Sequence, residues 1–125
     1  MLEGVGYSLR VLKEMLEEQG IQINEVRIIG GGAMSKLWKQ IIADICRIPV
    51  VTLQLTQEAG SLGAAMAALV GTGIFNSFEE ADKIIQIKDV IKPNNDNYRL
   101  YDELYLNFKK AYEALIPIFN NIALL

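Results

Sequence analysis

The sequence predicts an α/β fold with a short parallel sheet and flanking helices. A short apolar segment, Val26 to Ile29, is typical of a strand, and three glycines and an amphipathic helix follow it. A second segment rich in β-branched residues, Val50 to Leu55, predicts another strand. Because a helix separates the two strands, we expect them to be parallel and joined by a right-handed crossover.

The composition limits the classes to which the protein can belong. The chain has 125 residues, of which 51% are hydrophobic, which is enough for the core of one compact domain. Its net charge of −3 argues against a nucleic-acid-binding protein, which would carry a basic face. The sequence contains no histidine, so histidine-based acid–base catalysis and histidine-containing metal sites are excluded.

The single cysteine, Cys46, cannot form an internal disulfide, which fits a reducing cytoplasm. We expect it to be a small residue of the core. The longest apolar run, Ala64 to Val70, is far too short to cross a bilayer, and no secretory signal is visible. We therefore predict a cytoplasmic location without membrane contact.

The first predicted element is a helix from Met1 to Gln19, ended by Gly20. Its apolar pattern already runs at the first residues, and no capping residue precedes it. This start is typical of a chain cut from a larger protein.

A helix made mostly of small residues is predicted after the second strand. Thr56 is the expected cap, the helix runs from Gln57 to about Val70, and the segment Gly71 to Gly73 ends it. Small residues permit very close packing. The sequence leaves open whether they serve a tight core or the close approach of a ligand or partner.

The rest of the chain is predicted to be helices and one loop. Ser77 to Glu80 has the pattern of a capping box that opens a short helix. The segment from Lys88 to Asn97 contains a proline and three asparagines and is predicted to be a loop. The last long helix is expected from Tyr98 to Leu115, with an aromatic stripe in the core, and Pro117 is expected to break it.

Two strands make a poor sheet on their own. Their unpaired apolar edges favour pairing with another chain. The sequence therefore indicates part of a larger α/β domain or a dimer, and we expect a homodimer in solution.

The three glycines, Gly30 to Gly32, lie where a strand meets a helix, a layout typical of a phosphate or nucleotide site. The dinucleotide fingerprint fails because Ser35 stands at its third glycine position, and no lysine completes a P-loop. A tight turn without any ligand remains the alternative.

A longer motif runs from Gly30 to Asp44: Gly-Gly-Gly-Ala-x-Ser-x-x-Trp-x-Gln-x-x-Ala-Asp. It resembles the adenosine motif of the FGGY family of carbohydrate kinases. The flanking segments resemble the same family in the same order: Leu2 to Arg10, Glu58 to Ala65 and Ser77 to Ala81.

The resemblance implies two actin-like (ribonuclease H-like) ATPase domains with the active site between them. Residues 1–125 would be the C-terminal portion of the second domain. The first three strands of that domain, the catalytic aspartate and the sugar site would all lie upstream of Met1. No catalytic residue and no metal ligand are therefore expected in this chain, and the chain alone is expected to be inactive.

The resemblance also implies which residues bind the nucleotide. Gly31, Gly32 and Ala33 would line ATP or ADP, and Lys36 would lie near the adenine and ribose. Mg²⁺ would accompany ATP, and a sugar would bind, only in the full-length enzyme. The other motif residues are interpreted as mainly structural: Ser35, Trp38, Gln40 and Asp44. The alternative is a free-standing, non-catalytic module that binds a nucleotide or assembles through its sheet edge.

Overall fold

The computed structural model describes residues 2–55 and 58–123, without the side chains of 81–83 and 123. The predicted cap Thr56 and the predicted helix start Gln57 lie outside the described residues. Seven main elements follow one another: α1 (Leu2–Glu18), β1 (Val26–Ile28), α2 (Lys36–Cys46), β2 (Val50–Leu53), α3 (Ala59–Gly71), β3 (Ile87–Ile91) and α4 (Tyr98–Ala123). Three short 3₁₀ helices connect them: Gly31–Met34, Phe78–Lys83 and Asn95–Asn97.

The sheet has three strands in the order β1-β2-β3 and is mixed. β1 pairs with β2 in parallel, with Val26 opposite Val50, which confirms the predicted strand–helix–strand unit. β3 pairs with β2 in antiparallel orientation, with Ile91 also opposite Val50. The prediction of a purely parallel sheet was therefore wrong.

β3 lies in the segment that was predicted to be a loop from residue 88 onward. Its centre carries Lys88 and Asp89, and Pro93 with the asparagines follows directly. Charged residues are depleted in strands, and a neighbouring Pro/Asn cluster is the usual mark of a loop. The strand forms because it is an edge strand, where charged side chains can face solvent.

Helix α2 lies at the centre of the core and packs on both sides. One face joins a cluster with α1 and α4: Tyr7, Ile41, Ile45, Tyr101 and Tyr105. The other face joins a cluster with β2: Ile42, Ala43, Cys46 and Val50. Cys46 is 3% exposed, which confirms its predicted place in the core.

Helix α1 ends as the sequence predicts. Gly20 has a φ of 82°, a conformation that glycine adopts without steric cost. Its N–H donates to the carbonyl of Glu17 at 2.9 Å, and the next N–H, of Ile21, donates to Leu16 at 3.1 Å. These two bonds satisfy carbonyls of the last turn, as in a Schellman motif.

Helix α4 continues through Pro117 to Ala123, so the predicted break was wrong. A proline inside a helix deprives the carbonyl four residues earlier, that of Glu113, of its partner. Glu113 and Pro117 are exposed, so water can satisfy that carbonyl. Hydration therefore offsets part of the cost of the proline, and the helix continues beyond it.

The predicted capping box opens a 3₁₀ helix rather than an α-helix. The carboxylate of Glu80 accepts hydrogen bonds from the backbone N–H of Asn76 at 2.8 Å and from its side chain at 3.2 Å. The reciprocal contact expected at Ser77 is thus made one residue earlier.

Candidate nucleotide-binding loop

The glycine run lies at the carboxyl edge of the parallel strand pair. Ile28 of β1 lies opposite Thr52 of β2, and the loop from Gly30 begins directly after β1. In parallel strands the carboxyl ends meet at one edge, and the loops leaving that edge are the usual ligand-binding segments of α/β folds. Helix α3 follows the carboxyl end of β2, so its start belongs to the same edge.

Folding of this chain explains two of the three glycines. Gly30 has φ 72° and ψ −160°, a backbone conformation that is essentially restricted to glycine. A Cβ on Gly32 would lie 3.1 Å from Cδ1 and Nε1 of Trp38, closer than ordinary packing allows. Position 30 therefore needs glycine for its backbone conformation, and a side chain at position 32 would require the Trp38 ring to shift by a few tenths of an ångström.

Gly31 is different. It is exposed, its φ is not in the positive region, and a Cβ placed on it would meet no atom of the described residues within 4 Å. The N–H groups that open a short helix have no partner within that helix. The surface at Gly31 therefore leaves room for a ligand to approach the backbone.

The other two predicted site residues differ in exposure. Ala33 is 3% exposed, and its N–H donates to the carbonyl of Gly30 at 3.1 Å. Its methyl group supports the turn from inside. Lys36 is exposed and is the first residue of α2. Gly31 and Lys36 thus offer exposed groups at this loop, whereas Gly32 and Ala33 shape it.

Ser35 caps α2, as predicted. Its hydroxyl oxygen accepts a hydrogen bond from the N–H of Trp38 at 3.2 Å, and its backbone is extended with φ −88° and ψ 110°. Trp38 is half-buried and packs against both core clusters. It therefore supports Gly32 from the core side, in agreement with its interpretation as a core aromatic.

Lys39 is a residue that sequence reasoning missed. It is 5% exposed, and its ammonium donates to the hydroxyl of Thr52 at 3.2 Å and to the carboxylate of Asp89 at 3.0 Å. The hydrogen bond from Lys39 lowers the pKa of Asp89. The pair joins the first turn of α2 to β2 and β3, directly behind the glycine loop.

Asp44 holds the far end of α2. It is 2% exposed and accepts three hydrogen bonds of 2.7 Å, from the side chains of Gln40 and Asn97 and from the backbone N–H of Asn94. A buried carboxylate needs such donors to offset its desolvation. The structural interpretation of Asp44 and Gln40 agrees with these contacts.

An apolar cleft of about 230 Å³ lies at the same edge, between the end of β2, α3 and residues 84–86. Leu53, Ala59, Leu62, Gly63 and Met66 are among its lining residues. Met66 is the one buried residue of α3, so the small residues of this helix do not serve a tight core of the described chain. Close approach of a ligand or partner remains the open alternative for them.

Neither a metal-binding cluster nor a membrane-spanning helix occurs in the described parts of the chain. Among the described side chains, which leave out those of residues 81–83, no three or more acidic or cysteine residues form a group that could hold a metal ion. None of the helices within residues 2–55 and 58–123 combines the length and the apolar character needed to cross a membrane.

Comparison with known proteins identifies the class. Residues 1–95 match the family model described as the FGGY family of carbohydrate kinases, C-terminal domain. The chain belongs to the FGGY family of carbohydrate kinases, which confirms the resemblance of its motifs.

Two relatives of the chain are kinases of different substrates. A xylulose kinase of Staphylococcus epidermidis is 34% identical over 114 residues, which cover 90% of this chain and 23% of the relative. An autoinducer-2 kinase of Yersinia enterocolitica is 33% identical over 102 residues, which cover 81% of this chain and 19% of the relative. The chain thus spans about a fifth to a quarter of the length of these relatives.

The fold is also found in solved kinases. The crystal structure of xylulose kinase from Rhodospirillum rubrum superposes with a TM-score of 0.76 at 28% identity, covering 95% of this chain and 24% of that one. This likeness is consistent with a partial actin-like fold. The three upstream strands that such a domain would add remain a prediction.

Proposed function

We propose that this chain is the C-terminal portion of the second domain of an ATP-dependent carbohydrate kinase and supplies the loop that holds the adenosine side of ATP. The observation that carries the proposal is Gly31, the exposed member of the Gly30 to Gly32 run, which neither its φ nor the packing around it requires to be glycine. The ligand is inferred from the family, because the segment from Gly30 to Asp44 resembles the adenosine motif of these kinases.

The residues present fit one end of a nucleotide. The open surface at Gly31 allows close approach to the backbone. Lys36 adds an exposed cation at the start of α2. Gly32 and Ala33 act through the shape of the turn, which Trp38 and the Gly30 carbonyl fix from inside.

The chemistry would be completed by the full-length enzyme. There Mg²⁺ would accompany ATP, and a sugar hydroxyl would attack the γ-phosphate with an upstream aspartate as base. This chain would contribute binding and orientation of the nucleotide, so that the reacting groups are held in place. We expect the isolated chain to phosphorylate no sugar, and turnover of xylulose by this chain without the rest of the enzyme would contradict this expectation.

The proposed sugar is D-xylulose, converted to xylulose 5-phosphate. The Gly-Gly-Gly-Ala run with Trp38 and Gln40 is most similar to the xylulokinase branch, and xylulose kinases are 34% identical to the chain. The autoinducer-2 kinases are 32% to 33% identical, so this region alone does not select a substrate. A coupled assay of ADP release by the full-length enzyme, with xylulose and gluconate compared, tests the choice.

Nucleotide binding is tested by titrating the ¹⁵N-labelled chain with ADP. We expect weak, millimolar binding, with amide shifts concentrated at residues 30–36. Lys36→Glu should weaken it by roughly threefold to tenfold, the effect of an exposed charge worth ~1 kcal/mol. Lys110→Glu makes the same charge change on exposed α4 and should leave the affinity unchanged. Shifts absent from the loop at millimolar ADP would refute the assignment.

The same ADP titration distinguishes the proposed function from the alternative one. Tight ADP binding by a monomeric chain would favour a free-standing nucleotide-binding module over part of a kinase. A cytoplasmic location is proposed as well, supported by the single cysteine, Cys46, which leaves the chain without an internal disulfide.

A further inference from the structure

We propose that Lys39 is a buried cation that favours binding of the phosphate groups of the nucleotide at the glycine loop without touching them. The proposal rests on the proposed function, because it takes Gly30 to Gly32 as the nucleotide loop. It adds to that function a residue that sets the preference for a charged nucleotide over its uncharged nucleoside. Lys39 would act through its electric field, in contrast to Lys36, the exposed cation of the same helix.

Lys39 carries its charge inside the protein. Its side chain is 6% exposed, and a buried ammonium costs free energy unless hydrogen-bonding partners accompany it. Two partners are present: the hydroxyl of Thr52, a residue that is itself 4% exposed, and the carboxylate of Asp89. A buried ion pair often stabilises a fold no more than apolar residues of similar volume, so stability gives little reason for a charge at this position.

The register of the sheet places this charge beside the glycine loop. Thr52 of β2 pairs with Ile28, the last residue of β1, and the glycine loop follows that strand. Because neighbouring strands lie about 4.8 Å apart, the ammonium bonded to Thr52 is one strand away from the strand that leads into the loop. The backbone also connects them, since the N–H of Lys39 donates to Ser35 at 3.1 Å and the N–H of Ser35 donates to Gly32 at 3.3 Å.

The two charges of the pair differ in position and in exposure. Asp89 lies on β3, on the side of β2 opposite to β1, so its carboxylate is farther from the loop than the ammonium is. The Asp89 side chain is 42% exposed, against 6% for Lys39, so water and salt screen the negative charge more than the positive one. The field of the pair at the glycine loop is therefore positive and favours an anion.

A purely anchoring role for Lys39 makes a different prediction. If the pair only held α2 against the sheet, weakening either partner would loosen the loop and reduce the binding of charged and uncharged ligands alike. A role of the charge predicts opposite effects for the two partners, because removing the cation leaves the anion and removing the anion leaves the cation. The sign of the change in affinity therefore distinguishes the two roles.

Titration of the complete ¹⁵N-labelled chain with ADP and with adenosine tests the proposal, because the two ligands differ only in the diphosphate. At neutral pH and about 0.15 M salt, Lys39→Met should weaken ADP binding by roughly threefold to tenfold, as expected for a partly screened charge that touches no ligand atom. Asp89→Asn, which keeps an acceptor for Lys39, should strengthen ADP binding by roughly twofold to threefold. The affinity for adenosine should stay within about twofold in both variants, because adenosine carries no charge.

Lys88→Met is the matched control, because it removes an exposed lysine next to Asp89 on β3. Salt screens exposed charges, so this variant should bind ADP as the unmodified chain does. The Asp89 side chain is partly in water, so Asp89→Asn keeps the test decisive if Lys39→Met fails to fold.

The outcomes of the titration distinguish the inference from the proposed function. Unchanged or weaker ADP binding by Asp89→Asn, or equal weakening of ADP and adenosine by Lys39→Met, would overturn the inference and leave the proposed function standing. Amide shifts that do not appear at residues 30–36 of the unmodified chain with ADP would overturn both.

Discussion

Asp44 is predicted to be a strong stability determinant of the chain, although it is expected to touch no ligand. The substitution Asp44→Ala removes a carboxylate that is 2% exposed and accepts three hydrogen bonds of 2.7 Å. Hydrogen bonds to a charged group are worth about 1.5–3 kcal/mol each.

The exposure of the three donors lowers that figure. Asn94 is exposed, and Gln40 and Asn97 are half-buried, so water can replace part of what each donor loses. With about 1 kcal/mol left for each bond, the expected loss is about 3 kcal/mol. Because the free energy of unfolding of small proteins is only about 5–15 kcal/mol, a decrease of this size would be readily measured.

Urea unfolding followed by circular dichroism is the assay, with the midpoint and slope fitted for each variant. Asp96→Ala is the matched control, because it removes an exposed carboxylate from the same connection between β3 and α4. The control should stay within ~0.5 kcal/mol of the unmodified chain. A loss below ~1 kcal/mol for Asp44→Ala would show that the three bonds do not anchor this connection.

Three further predictions follow, from the glycine loop, from the Lys39–Asp89 pair and from the ion pairs of Asp102. Gly30→Ala should lower the free energy of unfolding by about 1–3 kcal/mol, because the backbone conformation at this position is essentially restricted to glycine. Gly31→Ala should leave the free energy of unfolding nearly unchanged but weaken ADP binding in the NMR titration. Lys39→Met should change the urea midpoint little, because it removes a buried charge with its desolvation cost and leaves Asp89 partly exposed to water. A decrease of more than ~3 kcal/mol in the free energy of unfolding would contradict this. Burial opposes ionisation of Asp102, but hydrogen bonds and charges from Arg10 and Arg47 outweigh it and lower its pKa from 3.8. The ion pairs of Asp102 therefore stabilise the fold above about pH 4, and this stabilisation is lost in more acid solution. The melting temperatures of Arg10→Gln and the unmodified chain should therefore converge as the pH falls, and a constant difference would refute this assignment.

Local patterns predicted those parts of the fold whose causes lie close in sequence. The cap at Ser35 and the helix end at Gly20 need only neighbours within five residues, and both were confirmed. β1 and β2 were found because each is a short apolar run beside a turn signal. The sequence motif also identified the family, because its residues stand in a fixed order over a long segment.

The missed features all depend on partners far along the chain. β3 forms against β2, which lies more than 30 residues earlier, and its charged centre gave no strand pattern. Lys39 resembles an ordinary helix-surface lysine until β3 brings Asp89, 50 positions away, within 3.0 Å of it. The continuation of α4 through Pro117 depends on solvent exposure, which no local pattern specifies.

The anchors of α2 explain how a short glycine loop can be held in one shape. Ser35 fixes the start of the helix, Lys39 joins its first turn to two strands, and Asp44 joins its last turn to the connection before α4. A loop that is already ordered loses little entropy when a ligand binds. Weak binding of ADP by this chain would then reflect contact with one end of the nucleotide rather than the cost of forming the site.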